Sequence, residues 1–266
     1  MATQYANGKI VTNGLVLALN AADKNSYVSG STVWNDLSGN DYSGSLIGGP
    51  TFNSGSGGSI VFDGTDDRVS RNTSLDTGQN FTVSAWIYPI LLGTTRRAVV
   101  ANSYNYVGRN GWDFSTGGGG VNNTFYLSIG GDASFRVASA NSLSLNTWQY
   151  ITGVVTDGGG TITLYLNGNT TTTATSVITS GTIVYPQPQL NVGFRDVGGT
   201  TDPYTGNIAS VQVYNRALPQ QEILQNYNAQ KSRFNLYYVI RKQRIHDLQR
   251  NRIGSNRFHP SIRNIC

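Results

Sequence analysis

The segment from Phe81 to Pro89 alternates between two kinds of side chain, a pattern that fits a β-strand and no helix. One face carries Phe81, Val83, Ala85 and Ile87, and the other carries Thr82, Ser84, Trp86 and Tyr88. A second strand precedes it at 59–63, and the turn that follows holds Asp63, Asp66 and Asp67, which we call the acidic corner. The two strands are predicted to be neighbours in a β-sandwich, with the carboxylates at its rim.

Most of the remaining chain has the same character, because short runs of β-branched and aromatic residues alternate with turns. The sequence holds 32 glycines, and only 12% of its residues are charged, against about 25% in an average soluble protein. Further strands are predicted at 15–20, 98–101, 124–129, 148–156, 161–167, 170–179, 189–194 and 206–214. The turn-dense stretch 21–54 is predicted to form long rim loops.

One helix is predicted in this part of the chain, at 219–229. Pro219 suits the first helical position, and Glu222 lies in the first turn, where a carboxylate interacts favourably with the helix dipole. The residues that share its apolar face are Ile223, Leu224 and Tyr227. The predicted fold is therefore all-β, a two-sheet antiparallel jelly-roll sandwich with one short C-terminal helix and a basic C-terminal extension.

Four motifs carry a family resemblance, and they follow one another in the expected order. They are Ser59-Ile-Val-Phe-Asp-Gly-Thr-Asp-Asp67, Phe81-Thr-Val-Ser-Ala-Trp86, Trp148 through Asp157 to Leu164-Tyr-Leu-Asn-Gly168, and Gly206-Asn-Ile to Tyr214-Asn-Arg-Ala-Leu218 with Glu222-Ile223. Over residues 15–234 the chain resembles the concanavalin A-like, laminin-G-type jelly rolls. The domain prediction is an N-terminal arm at 1–14, this jelly roll at 15–234, and the extension at 235–266.

Members of this family include glycan-binding modules, adhesion domains and virion-surface proteins of tailed phages. The Gly/Ser/Asn-rich segments at 14–23 and 34–40 look most like the phage branch. The resemblance implies a non-enzymatic structural, decoration or adhesion protein on a virion or similar particle, anchored through the extension. Its expected partners are other particle subunits, copies of itself in a homo-oligomer, and host surface glycans. The alternative is a secreted or cell-surface carbohydrate-binding lectin.

No cofactor is expected apart from a structural calcium ion, whose oxygen ligands are plentiful. The candidate ligands are the carboxylates of the acidic corner or, alternatively, Asp36, Asn40 and Asp41. The same residues are typical of Asx turns, in which their side chains accept hydrogen bonds from backbone amides. Two departures from the family pattern, Arg68 after the Asp-Asp pair and Ala209-Ser210 in the last strand, weigh against an inherited site.

Catalysis is not expected, and the protein is predicted not to be an enzyme. A glycosidase needs two carboxylic acids that flank the scissile bond, but the only glutamate is Glu222, in the predicted helix. Both histidines, His246 and His259, lie in the extension, which excludes Ser-His-Asp chemistry and zinc from the sandwich. The four glycines at 117–120 precede a strand rather than a helix, so they do not fit a phosphate cradle.

Aromatic side chains supply the candidate platforms for sugar rings. Trp86 and Trp148 lie within alternating strands and are predicted to belong to the core. The predicted carbohydrate-binding residues lie in or beside the loop that follows strand 98–101, and they are Tyr104, Tyr106, Arg109 and Trp112.

Positive charge is confined to the end of the chain. Residues 1–234 carry a net charge of −1, and residues 235–266 carry +6. The basic residues of the extension are interleaved with branched and aromatic ones, which favours an interface with a neighbouring subunit over a nucleic-acid arm. The candidate assembly residues are Tyr237, Arg241, Arg244, Ile245, Leu248 and Arg252.

The cellular location is predicted from three features. The only cysteine, Cys266, cannot form a disulfide within the chain, which favours assembly inside a cell. The segment 15–22 is the nearest match to a signal peptide, but Asn20 interrupts it and it is predicted to be a strand. No apolar run approaches the ~18 residues of a membrane helix. The expected location is the virion surface after synthesis in the host cytoplasm, with an extracellular location as the alternative.

Overall fold

The computed structural model describes residues 4–5, 8–105, 110–118, 122–129, 135–138, 142–175, 183–185, 188–197 and 199–234. The strands in these residues are β1 (Gln4–Tyr5), β2 (Gly8–Lys9), β3 (Leu15–Asn20), β4 (Val33–Trp34), β5 (Gly44–Ile47), β6 (Thr51–Asn53), β7 (Ser59–Asp63), β8 (Arg68–Arg71), β9 (Phe81–Pro89), β10 (Arg97–Asn105), β11 (Asn110–Thr116), β12 (Phe125–Ile129), β13 (Phe135–Ala138), β14 (Gln149–Thr156), β15 (Thr161–Leu166), β16 (Asn169–Thr175), β17 (Leu190–Val192), β18 (Asp196–Val197), β19 (Thr200–Thr201) and β20 (Thr205–Tyr214). The helix is α1 (Gln220–Gln230), and 3₁₀ turns lie at Gly55–Gly57, Asp157–Gly159 and Lys231–Phe234.

Two antiparallel sheets form the sandwich. The front sheet has the strand order β13-β12-β11-β10-β17-β8-β5-β4. The back sheet has the order β16-β15-β14-β9-β20-β7-β6, and β3 also pairs with β20. This arrangement confirms the predicted all-β sandwich with one short C-terminal helix.

Strand β9 lies at the centre of the back sheet, between β14 and β20. The prediction that it pairs with the strand at 59–63 is wrong, because β20 lies between β7 and β9. The predicted alternation is confirmed, because Phe81, Val83, Ala85 and Ile87 all enter the core between the two sheets. A shift of one residue in this register would turn these side chains to the outer face, so their burial fixes how β9 pairs with its neighbours.

The outer face of the back sheet is partly covered by α1 and the 3₁₀ turn that follows it. Here Trp86 stacks on Phe234, with ring centroids 4.1 Å apart, and on Tyr227 at 5.6 Å. From the other end of the chain, the backbone N–H of Val11 donates to Asn226 Oδ1 (2.8 Å), and Val11 accepts from the Tyr214 hydroxyl (3.0 Å). The end of the predicted N-terminal arm therefore packs on the same face as the helix.

Residues 21–54 were predicted to form long rim loops, but this region contains the strands β4, β5 and β6. These strands have two to four residues each; β4 and β6 are edge strands, and β5 lies between β4 and β8. The predicted helix at 219–229 is observed one residue later, at Gln220–Gln230. In the described part of the chain, no helix has the length and apolar character needed to cross a membrane.

Candidate functional site

A row of side chains crosses the outer face of the back sheet beyond the part that α1 covers. Tyr88 in β9 lies directly opposite Asn207 in β20. Trp148 precedes β14, whose first residue pairs with Ile87, and its ring centroid is 5.4 Å from that of Tyr88. Side chains that face one another on adjacent strands are close enough to act together on one ligand.

These residues form one wall of a pocket of ≈ 280 Å³, which we call the aromatic pocket. The opposite wall comes from β6, β7 and the 3₁₀ turn between them. The lining residues are Asn53, Gly55, Ser56, Ser59, Tyr88, Trp148 and Asn207. No lining residue is charged, so the pocket suits a neutral polar ligand.

Hydrogen bonds within the pocket orient its two amides in complementary ways. Asn207 Nδ2 donates to Ser59 Oγ (3.0 Å), which leaves Asn207 Oδ1 as an acceptor for a ligand. Asn53 Oδ1 accepts from the Gly55 N–H (2.7 Å), which leaves Asn53 Nδ2 as a donor. A sugar hydroxyl both donates and accepts, so this pair of amides can bind neighbouring hydroxyls.

The C-terminal 3₁₀ turn supports both walls of the aromatic pocket. The Phe234 ring packs against Trp148 at a tilt of 43°, with centroids 4.7 Å apart. Arg233 donates from Nε to the Ser56 carbonyl (2.9 Å) and from Nη2 to the Gly58 carbonyl (2.6 Å). Gly58 has φ 133°, and a Cβ there would lie 2.4 Å from the Ala21 carbonyl oxygen, so only glycine fits. The walls are thus held by contacts that exist before any ligand arrives.

The tryptophan predictions need correction. Trp112 was expected in or beside a loop as a sugar platform, but it lies in β11 with 0% of its surface exposed and stacks on Phe81 at 5.2 Å. Its indole N–H donates to Thr77 Oγ1 (3.2 Å), so no face of the ring is open to a sugar. Trp148, predicted to be core, is instead a half-buried wall of the aromatic pocket. The prediction that Trp86 is buried is confirmed.

The side chains of the other predicted carbohydrate-binding and assembly residues lie outside the described part of the chain. The backbone of Tyr104 lies in β10, while Tyr106 and Arg109 lie outside the described residues. The candidate assembly residues, Tyr237, Arg241, Arg244, Ile245, Leu248 and Arg252, also lie outside the described residues. Sequence reasoning missed Tyr88, Asn207 and Asn53, although the alternation of β9 already placed Tyr88 on the outer face beside Trp86.

The acidic corner brings its three carboxylates together, with ligand atoms of Asp63, Asp66 and Asp67 all within 4.8 Å of one another. Burial raises the pKa of Asp67, against the lowering effect of a hydrogen bond from the Asp63 N–H to Asp67 Oδ2 (2.9 Å). Asp63 Oδ1 also accepts from the Thr65 N–H (2.7 Å), as in an Asx turn. Enough carboxylate oxygens are left over to fit a hard cation such as calcium.

The alternative calcium ligands form a turn instead. Asp36 Oδ1 accepts from the N–H groups of Ala18 (2.8 Å) and Ser38 (2.9 Å), and Oδ2 accepts from the Tyr42 N–H (3.0 Å).

At the second departure from the family pattern, Ala209 is buried beneath the helix and Ser210 Oγ donates to Gln230 Oε1 (2.9 Å). Ala209 and Ser210 therefore contribute to the packing of α1 against the back sheet.

A buried ionic cluster lies at β11 and around the β18–β19 hairpin. Asp113 Oδ2 accepts from Arg96 Nη1 (2.7 Å), and Arg195 Nε donates to Asp202 Oδ2 (2.6 Å). Ser115 Oγ donates to Asp113 Oδ1 at 2.7 Å. Burial raises the pKa of Asp113, against the opposing effect of the two arginines. Both carboxylates are paired and nearly inaccessible, so the cluster belongs to the interior of the fold and is not an open site.

Comparison with known families finds one match, to a laminin-G profile described as concanavalin A-like lectin/glucanases superfamily, over residues 63–224. No curated protein sequence matches the chain.

Solved structures with the same fold include domain 4 of the extracellular arabinanase AbnA from Geobacillus stearothermophilus, in complex with arabinotriose (17% identity, TM-score 0.62, 80% of this chain and 98% of that one). They also include the botulinum neurotoxin type G receptor binding domain (16% identity, TM-score 0.58, 82% and 52%). A third is the binding domain of botulinum neurotoxin DC in complex with SialylT (14% identity, TM-score 0.61, 82% and 52%).

The chain therefore spans nearly all of the arabinanase domain but about half the length of the toxin binding domains. At these identities the likeness concerns the fold. The family match extends over more than half of the chain, and the two-sheet topology agrees with it. The chain belongs to the concanavalin A-like lectin/glucanases superfamily, as a laminin-G-type member.

Proposed function

We propose that this protein is a non-enzymatic adhesion module whose aromatic pocket binds carbohydrate. The observation that carries the proposal is the pocket itself, where the Tyr88 and Trp148 rings stand beside two amides of opposite hydrogen-bonding polarity. Aromatic rings pack on the apolar face of a sugar, while a few fixed polar groups select its hydroxyls. The arabinotriose and SialylT complexes among the structures of similar fold are consistent with such a role.

We further propose that the module is displayed on a virion or similar particle and that residues 235–266 attach it there. The support is the sequence: the extension carries +6 while the rest of the chain carries −1. Arginines in such a segment offer bidentate contacts to carboxylates on other particle subunits or on a second copy of this chain. An extracellular lectin remains the alternative location and role, and binding of calcium at the acidic corner belongs to the proposal in both cases.

The proposal includes the absence of hydrolase activity. Among the described residues that line the aromatic pocket there is no carboxylate, whereas glycoside hydrolysis needs two beside the scissile bond. Incubation with β-glucans and galactans is expected to release no reducing ends. Hydrolysis by the wild-type chain that is lost in Asp63→Asn or Asp113→Asn would overturn this part of the proposal.

A glycan array tests the binding function directly. The wild-type chain is expected to bind a subset of glycans, and Tyr88→Ala and Asn207→Ala are expected to weaken that binding by about tenfold or more, because each removes a stacking or hydrogen-bonding contact. Asn72→Ala is the matched control, since Asn72 is an exposed amide outside the pocket. A wild-type chain that binds no glycan, or pocket variants that bind like Asn72→Ala, would refute the proposal.

A further inference from the structure

A second pocket shares strand β6 with the aromatic pocket. It has a volume of ≈ 380 Å³, and we call it the edge pocket. Thr51 and Phe52 of β6 line it, together with Tyr27 and hydroxyl-bearing residues of the loop before β4. Asn53, at the other end of β6, lines the aromatic pocket. One short strand is therefore shared by both pockets.

The geometry of β6 places the two pockets on one path. Phe52 pairs with Ile60 and packs against the core, so Thr51 and Asn53 both turn to the outer face. Two residues of a strand span about 7 Å, which is comparable to one step along a sugar chain. β6 is also the last strand of the back sheet, so no described strand of that sheet pairs with its free edge.

The edge pocket repeats the chemistry of the aromatic pocket. Tyr27 and Phe52 form an aromatic pair with centroids 5.4 Å apart, and the Tyr27 hydroxyl donates to the Ser31 carbonyl (3.0 Å), which fixes the ring. Within the described residues, the hydroxyls of Thr32 and Thr51 make no hydrogen bond and both residues are exposed. No residue that lines either pocket is charged.

We propose that the two pockets are subsites for one neutral oligosaccharide of three or more units, which crosses the outer face of β6 at Thr51–Asn53. This inference rests on the proposed carbohydrate-binding function and adds the ligand class. The absence of cationic side chains from both linings selects against sialylated and sulphated chains, because a carboxylate or sulphate would lose hydration there without gaining a charged partner.

The test measures affinity for neutral oligosaccharides of one to five units, chosen from glycans that the wild-type chain binds, and for their sialylated or sulphated counterparts. The wild-type affinity is expected to rise by about tenfold or more between one and four units, as the second subsite fills. Thr32→Trp, which fills the edge pocket, and Thr51→Val, which removes one hydroxyl, are expected to reduce that gain. Thr201→Trp, at an exposed threonine in β19, is the matched control.

The outcomes separate this inference from the proposed function. If monosaccharide binding is lost in Asn207→Ala but chain length has no effect, the aromatic pocket binds sugar and the extended site is wrong. If Thr32→Trp behaves like Thr201→Trp, the edge pocket is not a subsite. If acidic glycans bind more tightly than neutral ones, the ligand class is wrong.

Discussion

The contacts of Phe234 and Arg233 predict that the four residues of the last 3₁₀ turn are indispensable to the fold. A chain truncated after Phe234 is expected to unfold at the same urea concentration as the full chain. A chain truncated after Gln230 is expected to be much less stable. It loses the Phe234 ring, which packs between Trp86 and Trp148, and the Arg233 guanidinium, which is bonded to two backbone carbonyls.

The size of the loss follows from these contacts. Phe234 keeps only 9% of its surface exposed, and burying such a side chain contributes about 1.5–3 kcal/mol. Each of its two ring stacks adds about 0.5–1.5 kcal/mol, and hydrogen bonds from a charged group contribute about 1.5–3 kcal/mol. We expect a difference in the free energy of unfolding of about 5 kcal/mol, which corresponds to a shift of roughly 2 M in the urea midpoint.

The assay is urea unfolding followed by tryptophan fluorescence, for both truncated chains and for Phe234→Ala in the full chain. The single substitution is expected to cost about 3 kcal/mol. Equal midpoints for the chains ending at 230 and 234 would refute the packing argument. A chain ending at 234 that unfolds, or that still assembles into particles or oligomers, would refute the proposed role of 235–266 as an assembly element.

Three further predictions concern charge. Asp113→Asn is expected to destabilise the fold by about 3 kcal/mol, because it removes the carboxylate that is bonded to Arg96, while Arg195 keeps its bond to Asp202; a loss below about 1 kcal/mol in urea unfolding would contradict this. Millimolar calcium is expected to raise the melting temperature of the wild-type chain but not of Asp66→Asn, by mass action at the acidic corner. Identical melting curves with calcium and with chelator would refute the proposal that calcium binds at the acidic corner. Burial raises the pKa of Tyr150 and of Tyr185 to about 12. In the unfolded chain the same hydroxyls lose their protons above about pH 10, before they do so in the folded chain. Above that pH the free energy of unfolding is therefore expected to fall by about 1.4 kcal/mol per pH unit for each tyrosine. Urea midpoints that do not change between about pH 9 and about pH 11 would contradict that expectation.

The sequence predicted the central strands and the helix because their signals are local and long enough to repeat. Phe81–Pro89 has nine residues of alternation, and α1 has a proline at its start and a carboxylate in its first turn. The short strands β4, β5 and β6 could not be predicted in this way. They have too few residues to show a period, and pairing with other strands of the two sheets holds them in place.

The two tryptophans at the site show where sequence reasoning fails. Trp112 was predicted in or beside the loop that follows strand 98–101, but it lies within β11, and strand pairing on both sides carries the indole into the core. Trp148 was predicted to lie within an alternating strand, which suggested burial, yet it immediately precedes β14, where α1 no longer covers the sheet. The period of a strand predicts which face of the sheet a side chain occupies, whereas the accessibility of that side chain depends on which elements pack over the face.

The described chain reaches the body through Val11 and leaves it at Phe234, and both lie on the outer face of the back sheet. The exit point is in ring contact with Trp148, so anything joined directly after Phe234 stands beside the mouth of the aromatic pocket. This affects how binding is measured. Thiol coupling through Cys266 tethers the protein by the segment that begins there, whereas coupling through a cysteine introduced at exposed Ser45, on the front sheet, leaves the pocket facing the solution.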